Sequence, residues 1–205
     1  MQNIKISPEL NELNEKVLDL FAEVDKRAKE LKDLTGLDCI EGCGHCCLKK
    51  DIEATILEFL PLSIHLWKKG EAGAWLDKIS GSGTEGVCVF YQPDPRIQND
   101  GRCGMYSHRG LICRMFGVFG TRDKKGAPAL AVCSVIKKNL PKEVEKAEKI
   151  AGSGAGVPLM TEYSSRLAAI DPALGSRFYP INVAIRYAIE KVGFGIELER
   201  KADIR

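Results

Sequence analysis

Leucine and valine recur at steps of three and four near the start of the chain, at Leu10, Leu13, Val17, Leu20, Val24, Leu31 and Leu34, with Arg27 interrupting once. That spacing predicts one long amphipathic helix over residues 8–34. Ser7 is a good N-cap, Pro8 suits the first helical position and Gly36 suits the end. The stripe faces a partner helix, in this chain or in a second copy. Covering its own domain is the commoner use of such a stripe, and a homodimer through the N-terminal helix is the secondary expectation.

Downstream the periods shorten. Asp51–Leu60 and Leu62–Trp67 read as helical with a break at Pro61, and Ala72–Ile79 as another short helix. Gly81-Ser82-Gly83 reads as a flexible joint. Val87–Tyr91, a segment at Cys103–Tyr106, Met115–Phe119 and Leu130–Val135 have strand-like composition, with a Pro93–Gly101 loop between the first two. Helical patterns return at Lys142–Ile150, Thr161–Ile170 and Ile181–Val192.

Composition narrows the classes. With 205 residues, 44% hydrophobic and 28% charged, one domain spanning 1–205 is the expectation. A net charge of +2 gives no global polybasic field for nucleic acid or a membrane surface. No stretch approaches the ~18 apolar residues of a membrane span, and the N-terminus lacks a secretory signal pattern, so a cytoplasmic location is expected. Eight cysteines in a reducing compartment read as metal ligands or redox groups before they read as disulfides.

Cys39, Cys43, Cys46 and Cys47 fall within nine residues, with Gly42 and Gly44 among them. Glycines let a backbone turn tightly and aim N–H groups at sulfur, and closely spaced cysteines are the chelating unit of tetrahedral zinc and of iron–sulfur clusters. A helix start expected near Lys49-Lys50-Asp51 would favour thiolates. Adjacent side chains such as Cys46 and Cys47 rarely converge on one tetrahedral ion, so one packs while the other ligates, or the two serve different metals or irons. Further ligands come from Cys88, Cys103, Cys113 and Cys133. Arg102, Arg109 and Arg114 flank Cys103 and Cys113 and either balance thiolate charge, bind an anionic substrate, or are ordinary surface arginines.

Cys43-Gly44-His45-Cys46-Cys47, then Cys88, then Cys103 to Tyr106, then Arg109 and Cys113-Arg114, resembles in order and spacing the CxxCxxCC proteins. These are the YkgJ-like cysteine cluster family, described as zinc- or iron-chelating domains and related to flagellin lysine N-methylases. The resemblance spans roughly residues 39–135. Two departures stand out: three residues separate Cys39 from Cys43 where the family usually has two, and Gly110 stands where the family has proline.

Among the other candidates, His45 is a substitute ligand, and His108 is a ligand, an acid–base group or a structural histidine. His65, beside Leu66 and Trp67, is expected to lie apart from the chemistry. A catalytic thiol would need a base in reach, and clustered cysteines argue for shared ligation instead. The glycines at 152, 154 and 156 follow a charged helical run rather than a buried strand, so they read as a hinge and not as a cofactor loop.

The expected architecture is α+β: a small metal-centred core of short strands and loops packed under several helices. It divides into an N-terminal helix (1–37), a cysteine-cluster core (38–138) and a helical C-terminal region (139–205). The expected function is metal binding through one thiolate-ligated iron–sulfur or zinc centre, or two, since eight thiols suffice for two four-thiolate sites or for one cluster with spare ligands. The expected ligands are Cys43, Cys46, Cys103 and Cys113, then Cys47, Cys88, Cys39 and Cys133. The alternatives are a metal-dependent, methylase-like enzyme acting on a protein or small molecule, and a metallated interaction module; no catalytic residue is identifiable.

Overall fold

Helix α1 (Pro8–Thr35) begins where Ser7 Oγ accepts the Leu10 amide at 3.3 Å and ends at Gly36, whose φ of 81° lies in the left-handed region. The computed structural model describes residues 4–39, 43–82, 86–94, 101–122, 126–152 and 157–202. A 3-10 turn at His45–Leu48 carries the adjacent cysteines and leads to strand β1 (Glu53–Thr55). A second 3-10 turn, Leu57–Phe59, runs into α2 (Leu60–Lys69), followed by α3 (Ala72–Ser82). Strands β2 (Tyr91–Pro93) and β3 (Gly101–Cys103) pair antiparallel, with Tyr91 opposite Cys103. A 3-10 turn at Tyr106–His108 precedes α4 (Leu111–Met115). Strands β4 (Gly120–Arg122) and β5 (Pro128–Leu130) form a second antiparallel pair. Helices α5 (Ser134–Asn139), α6 (Pro141–Gly152), α7 (Met160–Ile170) and the short α8 (Pro172–Gly175) follow. Strand β6 (Phe178–Pro180) pairs antiparallel with β1 and opens into α9 (Ile181–Ala202). The fold is α+β, dominated by helices with short antiparallel strand pairs between them. No described helix is long and apolar enough to cross a membrane.

Two apolar clusters hold these elements. In the first, Leu10, Val17, Leu20, Val24 and Leu31 of α1 pack with Leu111 and Met115 of α4, Val144 and Ala147 of α6, and Tyr163 and Leu167 of α7. The α1 stripe is thus largely buried inside its own chain, with Leu34 left 62% exposed. In the second, Ile185, Ala188 and Ile189 of α9 pack with Leu62 and Leu66 of α2 and with Cys47, Cys88 and Phe90. Helices α9 and α2 approach closely at Gly193, where an added Cβ would lie 2.5 Å from Trp67 Cζ2. Trp67 Nε1 donates to the Ile189 carbonyl at 2.9 Å across the same contact.

Several expected elements are corrected. No helix covers Asp51–Leu60, and none starts near Lys49; that region holds β1 and a 3-10 turn instead. The β-branched Ile52 and Thr55 favour extended backbone there. Glu58 reaches back to Thr55 three residues before it: its Oε1 accepts the Thr55 amide at 2.7 Å and the Thr55 hydroxyl at 3.2 Å. Pro61 does not break the helix but sits in the first turn of α2, where its missing N–H costs nothing. Val87–Tyr91 is a turn rather than a strand until Tyr91, and the Cys103–Tyr106 segment is extended only as far as Cys103. Met115–Phe119 is likewise no strand: α4 ends at Met115, and Gly117 with φ of 92° turns the chain before β4. Cys133 lies outside β5, at the N-cap of α5. At the expected joint, α3 runs on through Ser82, while Gly83 lies outside the described residues. Of the glycine-rich segment, residue 152 closes α6 and 153–156 lie outside the described residues.

Candidate metal centre

Short-range hydrogen bonds set each cysteine. In the loop before β1, the His45 amide donates to Cys43 Sγ at 3.5 Å and the Cys47 amide to the Gly44 carbonyl at 2.8 Å. Gly44 has φ of −107°, so its role is close approach rather than an unusual dihedral. A Cβ there would stand 2.5 Å from the Gly101 carbonyl oxygen, which presses the cysteine loop against β3 and Cys103. Gly42, the other glycine of the loop, lies outside the described residues. The Cys88 amide donates to the Cys47 carbonyl at 2.9 Å, joining two segments far apart in sequence. Asn182, at the start of α9 and only 2% exposed, pins the same turn: its Oδ1 accepts the Val89 amide at 2.9 Å and its Nδ2 donates to the Val87 carbonyl at 3.0 Å. Cys133 Sγ accepts the Ile136 amide at 3.4 Å.

Cys113 is set by a buried carboxylate. Glu58, 3% exposed, uses Oε2 to accept the Ile112 amide at 2.9 Å while Oε1 holds Thr55. Burial pushes the Glu58 carboxyl up, and these donated hydrogen bonds pull against that. Gly110 precedes α4 with φ of −67°, which is proline-like backbone. A Cβ at this position would meet Glu58 Oε2 and Phe59 Cε1, each at 2.9 Å. The turn that aims Cys113 thus keeps proline geometry although glycine occupies it.

The eight cysteines line two adjoining cavities. The inner cavity has about 30 Å³ open to the centre of a water-sized sphere and is bounded by Cys46, Cys47, Cys88, Cys103 and Cys113. The rest of its wall is mainly apolar, with Phe59, Leu62, Phe90 and Ile112. The outer cavity offers about 80 Å³ by the same measure, and Cys39, Cys43 and Cys133 join Cys46, Cys47, Cys103 and Cys113 there. His45 and Asp38 also face it. Spaces this small suit an ion or a compact cluster, well below the ~300 Å³ at which organic-ligand pockets begin. Among the described residues, no three His, Cys, Asp or Glu side chains already form an ion's coordination shell. The sulfurs are hydrogen-bonded to one another instead, Cys47 with Cys46, Cys88 and Cys103.

Those bonds and burial separate the thiols. Hydrogen bonding from Cys47 lowers Cys46 and Cys103 to about 7, with help from the Arg109 charge. Cys47, engaged with all three sulfurs, is raised. Burial first, then the neighbouring sulfurs Cys43, Cys46 and Cys133, push Cys39 up to about 11. Cys113 is raised well above the usual thiol range by burial, with Cys88, Cys46, Glu58 and Cys103 adding to it. Bringing these sulfurs onto a cation would exchange the thiol protons for metal.

The three arginines divide. Arg102 is exposed. Arg114 is a bracket: it donates to the Arg109 carbonyl at 3.1 Å and the Ser107 carbonyl at 3.2 Å, pairs with Asp25 and lies over the Phe21 ring. Arg109 faces both cavities, lies over the Tyr106 ring, and keeps a buried Nε with no hydrogen-bond partner. His45 faces the outer cavity and shares a 3.5 Å contact with Ser134. His65 is not remote from the site: its ring stacks on His108 at 3.9 Å, and His108 lines the inner cavity. Sequence reasoning missed Glu58 and Asn182; the spacing of Thr55 and Glu58 was a signal for the first, and nothing local marked the second.

Residues 38–134 match the model of the CxxCxxCC family, described as a "Putative zinc- or iron-chelating domain". No curated protein and no solved structure matches the chain.

Proposed function

We propose that this protein binds an iron–sulfur centre through its clustered thiols, a reading supported by the match of residues 38–134 to a family described as a zinc- or iron-chelating domain. The carrying observation is that cysteines from four stretches of chain, 39–47, 88, 103–113 and 133, all face one pair of small adjoining cavities. The donor set fits the group. Thiolates are soft ligands suited to iron–sulfur clusters and zinc, and no oxygen-rich set competes with them at the inner cavity. Eight sulfurs, two of them adjacent, exceed what one tetrahedral zinc needs and suit polynuclear iron.

The metal's ligands would come from Cys43, Cys46, Cys47, Cys103 and Cys113, and from Cys88, Cys39 and Cys133, whether these serve one centre or two. When bound, the centre supplies electron transfer or Lewis-acid chemistry. The chain's own contributions are positioned sulfurs, a mainly apolar inner wall, and Arg109, which lines both cavities and whose charge favours the Cys46 and Cys103 thiolates. Full-length protein isolated anaerobically should contain iron and acid-labile sulfide and absorb in the visible. Colourless protein with stoichiometric zinc would overturn the iron–sulfur reading, and protein with neither metal would overturn metal binding altogether.

A further inference from the structure

The eight sulfurs are not spread evenly over the two cavities. Cys88 lines only the inner one, while Cys39, Cys43 and Cys133 line only the outer one. The contacts among the sulfurs follow this division except at Cys46. The sulfurs that act electrostatically on Cys39 are those of Cys43, Cys46 and Cys133. Cys47 hydrogen-bonds to Cys103, Cys46 and Cys88, and Cys113 is acted on by Cys88, Cys46 and Cys103. Cys46 touches both groups, being bonded to Cys47 and close to Cys39.

We propose that the thiols form two metal centres: an inner one on Cys47, Cys88, Cys103 and Cys113, and an outer one on Cys39, Cys43, Cys46 and Cys133. This rests on the metal-binding reading above and adds how many centres there are and which sulfurs serve each. It also accounts for the adjacent pair. Residues in a 3-10 turn project about 120° apart, so Cys46 and Cys47 at His45–Leu48 can serve neighbouring centres where they could not easily share one ion.

The two centres have different surroundings. The inner wall is mainly apolar, with Phe59, Phe90 and Ile112. The outer cavity is larger and includes Asp38 and His45. Water and chelators therefore reach the outer centre first, and its metal is the more labile.

The test uses the reduced, metal-free full-length chain titrated with zinc under anaerobic conditions. Two equivalents should bind, one removed quickly by a competing chelator and one slowly. Cys133→Ser should abolish the fast equivalent and keep the slow one, halving the metal content. Cys39→Ser should do the same, which guards against a folding defect in either variant alone. Cys88→Ser should do the reverse. One equivalent in the wild type, or loss of all metal in both Cys133→Ser and Cys39→Ser, would overturn the division while leaving metal binding intact. No bound zinc at all would overturn both readings together.

Discussion

Helices α1 and α9 bury Val17, Val24, Ile185 and Ile189 completely by repeating apolar residues at helical spacing. The segments that carry the cysteines have no such repeat. They are 3-10 turns, three-residue strands and a five-residue helix, positioned by the side chains of Glu58 and Asn182. The frame is specified by local pattern and would hold without metal. The sulfur-bearing region is held by a few polar pins and by whatever its thiols bind. The two regions should therefore fail in different ways.

Metal removal tests this most strongly. Stripping the reduced protein with a chelator should lower its melting temperature by about 10 °C or more, since metal binding free energy is folding free energy. The far-ultraviolet helix signal should largely persist, while amide exchange accelerates in residues 43–48, 86–94 and 101–113. Equal acceleration in α1 and α9 would show that frame and sulfur region are one cooperative unit.

Next in size is Glu58. Its two oxygens meet only donors among their recorded partners, from Thr55 and Ile112. Glu58→Ala strips those donors of their partner in a buried site and should cost about 3 kcal/mol or more. Glu58→Gln keeps the shape but points an amide N–H at a donor, and should cost about 1–3 kcal/mol. Both should also weaken metal retention through Cys113, as measured by denaturant unfolding and metal content. Unchanged metal content in Glu58→Ala would remove it from the site's support.

Legibility followed the same divide. The boundaries of α1, α6 and α7 could be read within a few residues because a 3.6-residue repeat and local caps determine them, whereas α9 runs on past its expected end at Val192 to Ala202. The thiol set was visible because cysteine spacing is itself the signal. The short strands were misplaced because their conformation is decided by contacts distant in sequence. Val87–Tyr91 turns where Asn182 grips it, and Met115–Phe119 bends at a left-handed Gly117. The stacking of His65 on His108 joins α2 to a distant turn, and no local pattern marks such a pairing.

Gly193→Ala probes the frame alone. Its Cβ would meet Trp67 Cζ2 at 2.5 Å, so α9 and α2 must separate slightly, at a cost of about 1–3 kcal/mol. Stability should fall in a denaturant titration while metal stoichiometry stays at the wild-type value. A loss of metal would mean that the α2–α9 contact also positions the sulfurs.

Asn182 sits on the boundary and gives the smallest stability effect. Its side chain belongs to frame helix α9, yet both its hydrogen bonds go to the Val87–Val89 backbone around Cys88. Asn182→Ala leaves one buried amide and one carbonyl without partners, costing about 1–2 kcal/mol. The consequence at the site should be local: Cys88 loses its fixed position, while Cys133, tied through the Ile136 amide on α5, does not. Differential thiol alkylation of the metal-free protein would read this directly, with Cys88 reacting faster than in the wild type and Cys133 unchanged. Equal acceleration at both would mean that the sulfur-bearing segments move as one body, and that pins such as Asn182 stabilise the whole rather than placing individual ligands.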